Sequence, residues 1–341
     1  MRAMVLREAK PFEGEPLAIE DRAELSAGDG EITIAVEACG VCRTDLHIIE
    51  GEVTARLPVV PGHQAAGRVV EVGSGAGDFN PGDSVGVGWL ASTCGRCRFC
   101  TSGRENLCEE ATFTGRDRDG GYAERMTARG AWVYRLPRGF SSKEAAPLLC
   151  AGVIGYRSLK LSGIQPGGRL GLFGFGASAH LAIQVAHHWG CSVYAFSREA
   201  HHRELAISMG AIWAGATDDR PPVALDAAVT FAPAGEVVLA ALRRLDRGAA
   251  VAINAIHTTP IPSLDYADLY GERMIRSVQN YTRRDAEEFL DLAAAIPIRA
   301  ETEVYRLDRA NEALRRIKRG EVHGAAVLEI GGAPSGAILE P

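Results

Sequence analysis

The chain has 341 residues, of which 46% are hydrophobic and 23% charged, and a formal net charge of -6. Two domains are expected, because one hydrophobic core rarely serves so long a chain, and the negative charge argues against nucleic acid or an anionic membrane as the main partner. No apolar run of about 18 residues suggests a membrane span, and the N-terminus becomes charged too early for a signal peptide, so a cytoplasmic location is expected.

The N-terminal part of the chain has the pattern of short strands joined by tight turns. Residues 1–37 alternate apolar and polar positions, and further strands are predicted at 66–72 and 83–88. Glycine and proline punctuate the segments between them, at 73–77 and 80–83. Strands at this spacing predict a compact β-barrel-like module.

From about residue 168 the pattern changes to apolar strands that alternate with helices. A βαβ unit is predicted from a strand at 169–173, a helix at 177–189 and a second strand at 192–196. Later strands are predicted at 227–231, 249–253 and 276–278. This alternation predicts a doubly wound parallel sheet.

The last part of the chain is predicted to return to the first domain. It contains a helix, a strand, a helix and a strand, at 284–295, 303–307, 308–318 and 325–330. We therefore predict a dinucleotide-binding domain over 152–285 and a catalytic domain built from 1–151 and 286–341.

Four of the eight cysteines lie close together, at Cys94, Cys97, Cys100 and Cys108. Four thiolates on one loop can enclose Zn²⁺ in a closed tetrahedron, which makes such a site structural rather than catalytic. Arg96, Arg98 and Arg104 lie in the same loop and can offset its negative charge. Short cysteine spacings also hold iron–sulfur clusters, but the surrounding strands and the nucleotide-binding pattern favour zinc.

The segment Gly174-Phe-Gly176-Ala177-Ser178-Ala179 follows a predicted strand and opens a predicted helix, as a dinucleotide fingerprint does. Gly174 can form the tight turn, and Gly176 lets a pyrophosphate approach the backbone at the helix N-terminus. Ala179 stands where the third glycine of the motif packs the helix against the strand. Gly174, Gly176, Ala177 and Ser178 are therefore predicted to bind the cofactor.

The end of the second strand of that βαβ unit indicates which cofactor binds. An acidic residue there would bind the ribose 2′-hydroxyl of NAD, but Ser197 and Arg198 occupy the strand end. A hydroxyl followed by a guanidinium suits a 2′-phosphate, with Arg203 as a further partner. We expect NADP(H); the alternative is an NAD enzyme in which Arg198 is simply solvated.

A second group of reactive side chains lies in Cys42-Arg-Thr-Asp-Leu-His47 and in Pro-Gly-His63. A cysteine and a histidine so far apart predict little by themselves. Together with Leu-Cys150, the four-cysteine loop and the glycine-rich βαβ unit, they resemble the zinc-dependent alcohol dehydrogenases of the medium-chain dehydrogenase/reductase superfamily. The resemblance covers essentially the whole chain.

The resemblance implies a second, catalytic zinc. Cys42, His63 and Cys150 match its three protein ligands, which leave one position for water or substrate. Asp45 matches the carboxylate that orients the ligand histidine. The ion would act as a Lewis acid on the substrate oxygen, and the chain would hold two zinc ions in all.

Further residues acquire roles through the same resemblance. Thr44 matches the hydroxyl that bonds the substrate oxygen, and His47 matches the outer end of the proton path. Arg43 is implied near the cofactor pyrophosphate, and Ile256 in a loop near the nicotinamide. Trp89 matches an aromatic wall of the substrate pocket, although a core tryptophan fits the sequence nearly as well.

One position departs from the family pattern. Gln64 follows His63 where a glutamate is usual, and a neutral amide cannot serve as an anionic zinc ligand. This departure is the only support for a noncatalytic relative that binds zinc and nucleotide.

The implied function is reversible hydride transfer between a primary or simple secondary alcohol and NAD(P), with an aldehyde or ketone as the other small-molecule partner. A polyol, amino-alcohol or cinnamyl-type dehydrogenase would use the same machinery and is the alternative. The implied fold is a GroES-like β-barrel catalytic domain with a doubly wound Rossmann domain. The implied assembly is a homo-oligomer, with a tetramer favoured over a dimer.

Overall fold

The structure is a computed structural model that describes residues 1–296 and 298–331. The chain divides into two units. The first unit contains Met1–Cys150 and the segment that begins at Glu301, and the second contains Ala151–Ala300. The sequence predicts domain boundaries after residues 151 and 285, and residues 332–341 of the predicted catalytic domain lie outside the described residues.

The first unit opens with short strands and two short helices. In chain order these are β1 Arg2–Leu6, β2 Leu17–Asp21, β3 Glu31–Val41, α1 Arg43–Ile49, β4 Ala65–Val72, β5 Ser84–Val87, β6 Leu90–Ser92, β7 Thr112–Phe113, β8 Arg125–Arg129, β9 Val133–Arg135 and α2 Ser142–Ala145. Single 3₁₀ turns lie at Cys100–Ser102, Glu105–Leu107, Gly130–Trp132 and Ala146–Leu149.

The second unit alternates helices and strands. Its elements are α3 Ala151–Ser162, β10 Arg169–Phe173, α4 Ala177–His188, β11 Ser192–Phe196, α5 Ala200–Ser208, β12 Trp213–Gly215, β13 Leu225–Thr230, α6 Gly235–Leu242, β14 Leu245–Ile253, α7 Tyr266–Leu269, β15 Met274–Ser277 and α8 Arg283–Ala295.

The strands of the second unit form one parallel sheet in the order β12-β11-β10-β13-β14-β15. The chain order reverses between β10 and β13, and ligands of such sheets bind at the carboxyl ends of the strands beside this switch point. The buried rings of Phe173 and Phe196 stack with their centroids 4.0 Å apart in the core. Helix α8 belongs to this unit because it packs on α3, where a Cβ atom on Gly152 would lie 2.5 Å from the ring of Phe289.

After residue 300 the chain adds β16 Thr302–Arg306, a 3₁₀ turn at Leu307–Arg309, α9 Ala310–Arg319 and β17 Ala325–Glu329 to the first unit. The main sheet has the order β16-β17-β3-β4-β5-β9. Strand β3 is long enough to pair with β8 along its first half and with β17 along its second, while β4 pairs on its other side. The end of β3 therefore leads from the centre of this sheet directly into α1.

The predicted fold is confirmed: a strand-rich first unit and a doubly wound parallel sheet. Small differences lie at element ends, where the predicted strand 276–278 begins at Met274 and the predicted helix 177–189 ends at His188. None of the helices in the described part of the chain is long and apolar enough to cross a membrane.

Candidate metal and cofactor sites

The first candidate site begins at the N-terminus of helix α1. Cys42 is the residue that caps the helix, and its backbone N–H donates to Asp45 Oδ2 across 2.9 Å. An acidic side chain in the first helical turn is favoured there because the first backbone N–H groups have no partner in the helix. This start holds the thiol of Cys42 and the carboxylate of Asp45 side by side.

Asp45 is fully buried, and its carboxylate accepts further hydrogen bonds from side chains in two other segments of the chain. Its Oδ1 lies 3.1 Å from His63 Nδ1, and its Oδ2 accepts from the hydroxyl of Tyr122 at 3.0 Å. The contact at Nδ1 fixes the tautomer of His63, so that Nε2 keeps the lone pair a metal would use. Gly62 permits this approach, since its φ is +97° and a Cβ atom would lie 2.3 Å from the ring of Tyr122.

The three predicted ligands of the catalytic zinc converge. One ligand atom each from Cys42, His63 and Cys150 lie within 4.8 Å of one another. Among the described residues, His63 Nε2 is buried and has no hydrogen-bond partner. Because an orphaned buried nitrogen is costly, and because zinc takes thiolate and imidazole at about 2.0–2.3 Å, these donors fit a zinc ion.

Electrostatics couples the three side chains. The hydrogen bond with Cys150, followed by the interaction with His63, lowers the pKa of the Cys42 thiol well below its ordinary value. The same hydrogen bond and burial raise the pKa of Cys150. Burial opposes protonation of His63, but the charges and hydrogen bonds of Asp45 and Cys42 together outweigh it and raise the pKa of His63 to about 10. Divalent metal binding would replace these protons, since metals bind thiolate and neutral imidazole.

The other residues predicted from this segment lie on α1. The hydroxyl of Thr44 is 3.7 Å from Cys42 Sγ, beside the candidate ligands. His47 is buried, and its Nδ1 contacts the carboxylate of Glu52, a residue outside the predicted site. Arg43 is exposed, and its Nη2 donates to the backbone oxygen of Ile317 at 3.1 Å.

The second candidate metal site is formed by the four-cysteine loop. The Sγ–Sγ distances are 3.9 Å for Cys94–Cys100, 3.5 Å for Cys97–Cys100 and 3.6 Å for Cys108–Cys94. All four cysteines are free thiols. A tetrahedron with Zn–S bonds of about 2.3 Å has edges of about 3.8 Å, so these sulfurs fit a single ion and are too far apart for disulfides.

In the second unit, the glycine-rich turn after β10 has the conformation that a nucleotide site needs. Gly174 has a φ of +90°, which other residues rarely adopt, and a Cβ atom there would lie 3.0 Å from the backbone nitrogen of Ala232. Gly176 caps α4, and no atom lies within 4 Å of its hypothetical Cβ. An anion can therefore approach the N-terminus of α4 closely.

The carboxyl ends of the neighbouring strands carry polar groups that the sequence motifs do not predict. Among the described residues, Thr230 Oγ1 at the end of β13 and Asn254 Nδ2 just after β14 are buried without a hydrogen-bond partner. Polar atoms of this kind at the carboxyl edge of a doubly wound sheet suit a bound ligand. Ile256, predicted near the nicotinamide, follows Asn254 and is 50% exposed.

The predicted 2′-phosphate residues lie at the end of β11. Ser197 is buried, and its Oγ lies 3.5 Å from Nδ1 of His202. Arg198 is exposed. Arg203 Nη1 donates to the backbone oxygens of Ser197 and Arg198, both at 2.7 Å, so this guanidinium holds the turn in shape.

The chain is similar to known proteins along nearly its whole length. A family profile, the alcohol dehydrogenase GroES-like domain, matches residues 28–138. The chain is 48% identical to the probable alcohol dehydrogenase AdhA of Mycobacterium tuberculosis, with 97% of each chain covered. The chain belongs to the zinc-dependent alcohol dehydrogenases of the medium-chain dehydrogenase/reductase superfamily.

Two further comparisons agree with this family. An alcohol dehydrogenase of Geobacillus stearothermophilus is 34% identical, with 97% of this chain and 100% of the relative covered. The solved structure of a cinnamyl alcohol dehydrogenase from Sorghum bicolor superposes with a TM-score of 0.88 at 29% identity, covering 96% of this chain and 97% of the other. The predicted family, the GroES-like and Rossmann architecture and the predicted class of enzyme are confirmed.

In this alcohol dehydrogenase, Gln64 follows the candidate ligand His63 in sequence, and Trp89 contacts its ring. Gln64 is 3% exposed and packs over Gly40, where a Cβ atom would lie 2.9 Å from Gln64 Cδ. Trp89 is buried; its ring meets that of His63 edge-on at 4.9 Å and stacks on Phe113 at 5.0 Å. Trp89 therefore packs directly against the candidate ligand His63, whereas the side chain of Gln64 packs against Gly40.

Proposed function

We propose that Cys42, His63 and Cys150 hold the catalytic zinc of this alcohol dehydrogenase, which interconverts primary or simple secondary alcohols and their aldehydes or ketones. The observation that carries the proposal is the orphaned, buried Nε2 of His63 beside two thiols. When bound, the ion supplies Lewis acidity at the substrate oxygen, and the nicotinamide cofactor accepts or returns the hydride.

The remaining site residues of α1 are proposed to orient the ring of His63 and to transfer the proton of the alcohol. Asp45 holds the ring of His63 in one tautomer through the hydrogen bond at 3.1 Å. The hydroxyl of Thr44, beside Cys42, would accept the proton of the substrate hydroxyl and at the same time release its own proton outward. His47 passes the proton outward, since an imidazole can take up a proton at one ring nitrogen and release it again.

The four-cysteine loop is proposed to hold a structural zinc, for a total of two ions per chain. The support is the near-tetrahedral spacing of the sulfurs and the lack of a free coordination position once four thiolates bind. The ion would fix a loop whose regular structure consists of two single 3₁₀ turns.

The cofactor is proposed to bind along the carboxyl edge of the sheet in the second unit. The pyrophosphate would lie against Gly174, Gly176, Ala177 and Ser178, with Ile256 beside the nicotinamide. NADP(H) is favoured over NAD because Ser197 and Arg198 offer a hydroxyl and a cation, with no carboxylate at the strand end. Arg203 would act mainly by holding that turn.

A cinnamyl-type dehydrogenase is the second candidate, favoured by the likeness to the Sorghum bicolor enzyme. The same zinc ligands and cofactor site serve both activities. Cinnamyl alcohol and small aliphatic alcohols, assayed side by side, separate the two candidates.

A homo-oligomer in the cytoplasm is proposed, with a tetramer favoured over a dimer. The support is an exposed apolar patch beside β15, the last strand of its sheet, where Tyr266, Tyr270 and Met274 are 71%, 69% and 56% exposed. Exposed apolar patches and open strand edges are typical of interfaces. The free thiols of the chain suit a reducing compartment. Light scattering, with Tyr270→Asp as the disrupting variant, gives the number of subunits.

The experiment that tests the proposed function measures bound zinc per chain together with turnover of ethanol, 1-propanol and benzyl alcohol with NAD and with NADP. Two zinc ions and turnover are expected, with loss of turnover in Cys42→Ala but retention of the fold. One zinc ion and no turnover with any alcohol would favour the noncatalytic alternative, with Gln64 marking a disabled site.

A further inference from the structure

Glu52 contacts the histidine at the outer end of the proposed proton path. The Glu52 carboxylate and His47 Nδ1 are hydrogen-bonding partners within the first unit. The His47 side chain is 10% exposed, whereas the Glu52 side chain is 38% exposed. His47 therefore lies at the buried end of the pair, and Glu52 lies at the end that meets the solvent.

A backbone turn places Glu52 beside His47. Helix α1 ends at Ile49, and Gly51 then adopts a φ of +78°, the left-handed conformation that glycine favours after a helix. The turn is closed by hydrogen bonds from Gly51 N to the oxygen of Ile48 at 3.2 Å and from Val53 N to the oxygen of His47 at 3.0 Å. The contact between Glu52 and His47 is thus built into the end of the helix.

Other charged side chains on α1 and α9 bind partners other than His47. Asp45 accepts from His63, and Arg43 donates to the backbone of α9. Lys318 of α9 binds Glu50 across 2.6 Å. Glu52 therefore supplies the carboxylate that the ring of His47 contacts at Nδ1.

We infer that Glu52 is a positioning residue for proton transfer through His47, an inference that rests on the role proposed for His47 above. A carboxylate at Nδ1 accepts the ring N–H, so the neutral imidazole keeps its lone pair on Nε2. Nε2 takes up one proton released by the alcohol, and an imidazolium forms beside the carboxylate. The cation then gives its Nε2 proton to water or buffer, and the neutral ring with its proton on Nδ1 is restored.

The kinetic test uses the zinc-loaded enzyme with cofactor and benzyl alcohol at neutral pH. In Glu52→Ala, kcat/KM is expected to fall about tenfold and to recover as formate or imidazole buffer is raised, because an external base then takes the proton. Glu52→Asp should retain part of the wild-type rate. Glu50→Gln removes a carboxylate two positions away that binds Lys318, and this variant should match wild type in rate and in buffer response.

A second variant separates this inference from the function on which it rests. If His47→Asn is impaired and rescued by buffer while Glu52→Ala behaves as wild type, Glu52 has no part in proton transfer. If neither variant changes the rate or its buffer dependence, the proposed role of His47 fails as well. Melting temperatures of all variants are compared first, and Glu52→Gln replaces Glu52→Ala where the alanine variant does not fold.

A spectroscopic readout does not depend on turnover. Nitrogen NMR of protein labelled with ¹⁵N-histidine distinguishes the two neutral tautomers of the His47 ring, and the His47→Asn variant assigns its signals. The wild type is expected to carry the proton on Nδ1, and Glu52→Ala to lose that preference. A wild-type ring protonated on Nε2, or a tautomer that does not change in Glu52→Ala, would overturn the inference.

Discussion

The hydroxyl of Tyr122 donates a hydrogen bond to Asp45 Oδ2 at 3.0 Å, and the other oxygen of that carboxylate holds His63. Both side chains are fully buried. A candidate metal ligand is thereby supported by a tyrosine from a distant part of the sequence. The arrangement extends the usual carboxylate–histidine pair of zinc sites by one residue.

Tyr122→Phe should weaken zinc binding at the Cys42, His63 and Cys150 site without removing a ligand. Supporting partners of this kind are worth about tenfold or more in metal affinity. Chelator competition, followed by zinc content and residual turnover, measures the effect. Tyr305→Phe is the matched control, because its hydroxyl binds Glu303 in the same unit. Equal zinc retention in the two variants would mean that Tyr122 contributes packing alone.

Cys97→Ala should remove one zinc ion per chain and lower the free energy of unfolding by roughly 2–4 kcal/mol, since a metal-fixed loop loses its closure. Zinc analysis and thermal unfolding check this result. Cys191→Ala is the control because Cys191 is a buried free thiol that lies outside both cysteine groups. A variant that keeps both ions and melts with the wild type would exclude a structural zinc in this loop.

The parts of the site that the sequence predicts are those encoded by local spacing or by family motifs. The four cysteines are close in sequence, so their convergence follows from one loop. The glycine-rich turn follows from the strand and helix on either side of it. Cys42, His63 and Cys150 are far apart in sequence, and only the resemblance to a family indicates that they meet.

The contacts that the sequence does not predict depend on tertiary packing. Tyr122 sits in a pattern that also fits an ordinary core residue, and its hydroxyl finds Asp45 only in the folded unit. Glu52 meets His47 because Gly51 turns the chain back. The sequence predicts Arg203 as a phosphate ligand because it is basic and close to the strand end. In the structure its Nη1 donates instead to two backbone oxygens, because the chain after the strand turns those oxygens toward it.

Arg198→Asp should shift the cofactor preference toward NAD. Loss of a charge-assisted contact with the 2′-phosphate costs about 2 kcal/mol, a factor of about 30 in kcat/KM with NADP. An aspartate there could instead bind the ribose hydroxyl of NAD. The ratio of kcat/KM for the two cofactors checks this prediction, with Arg220→Asp as an exposed control in the same unit. A wild type that already prefers NAD strongly would contradict it.

Asp285→Asn should destabilise the second unit by about 3 kcal/mol, because removing one partner of a buried ion pair leaves the other charge uncompensated. Asp285 is 2% exposed, caps α8 through Thr282, and pairs with Arg157 and with Lys160, the latter at 3.0 Å. Denaturant unfolding measures the difference. Asp291→Asn, an exposed change on the same helix, is the control and should behave as wild type.

The difference in unfolding free energy between wild type and Asp285→Asn should depend on pH in a definite direction. Burial opposes ionisation of Asp285, but the hydrogen bonds from Thr282 and the charges of Lys160 and Arg157 hold its pKa below the ordinary value. A lowered pKa in the folded state stabilises the protein above the unfolded pKa of about 4, and this stabilisation is lost as the pH falls through the folded value. The gap between wild type and Asp285→Asn should therefore be widest near neutrality and close in acid. A gap that widens as the pH falls below about 4 would mean that Asp285 is protonated in the folded protein.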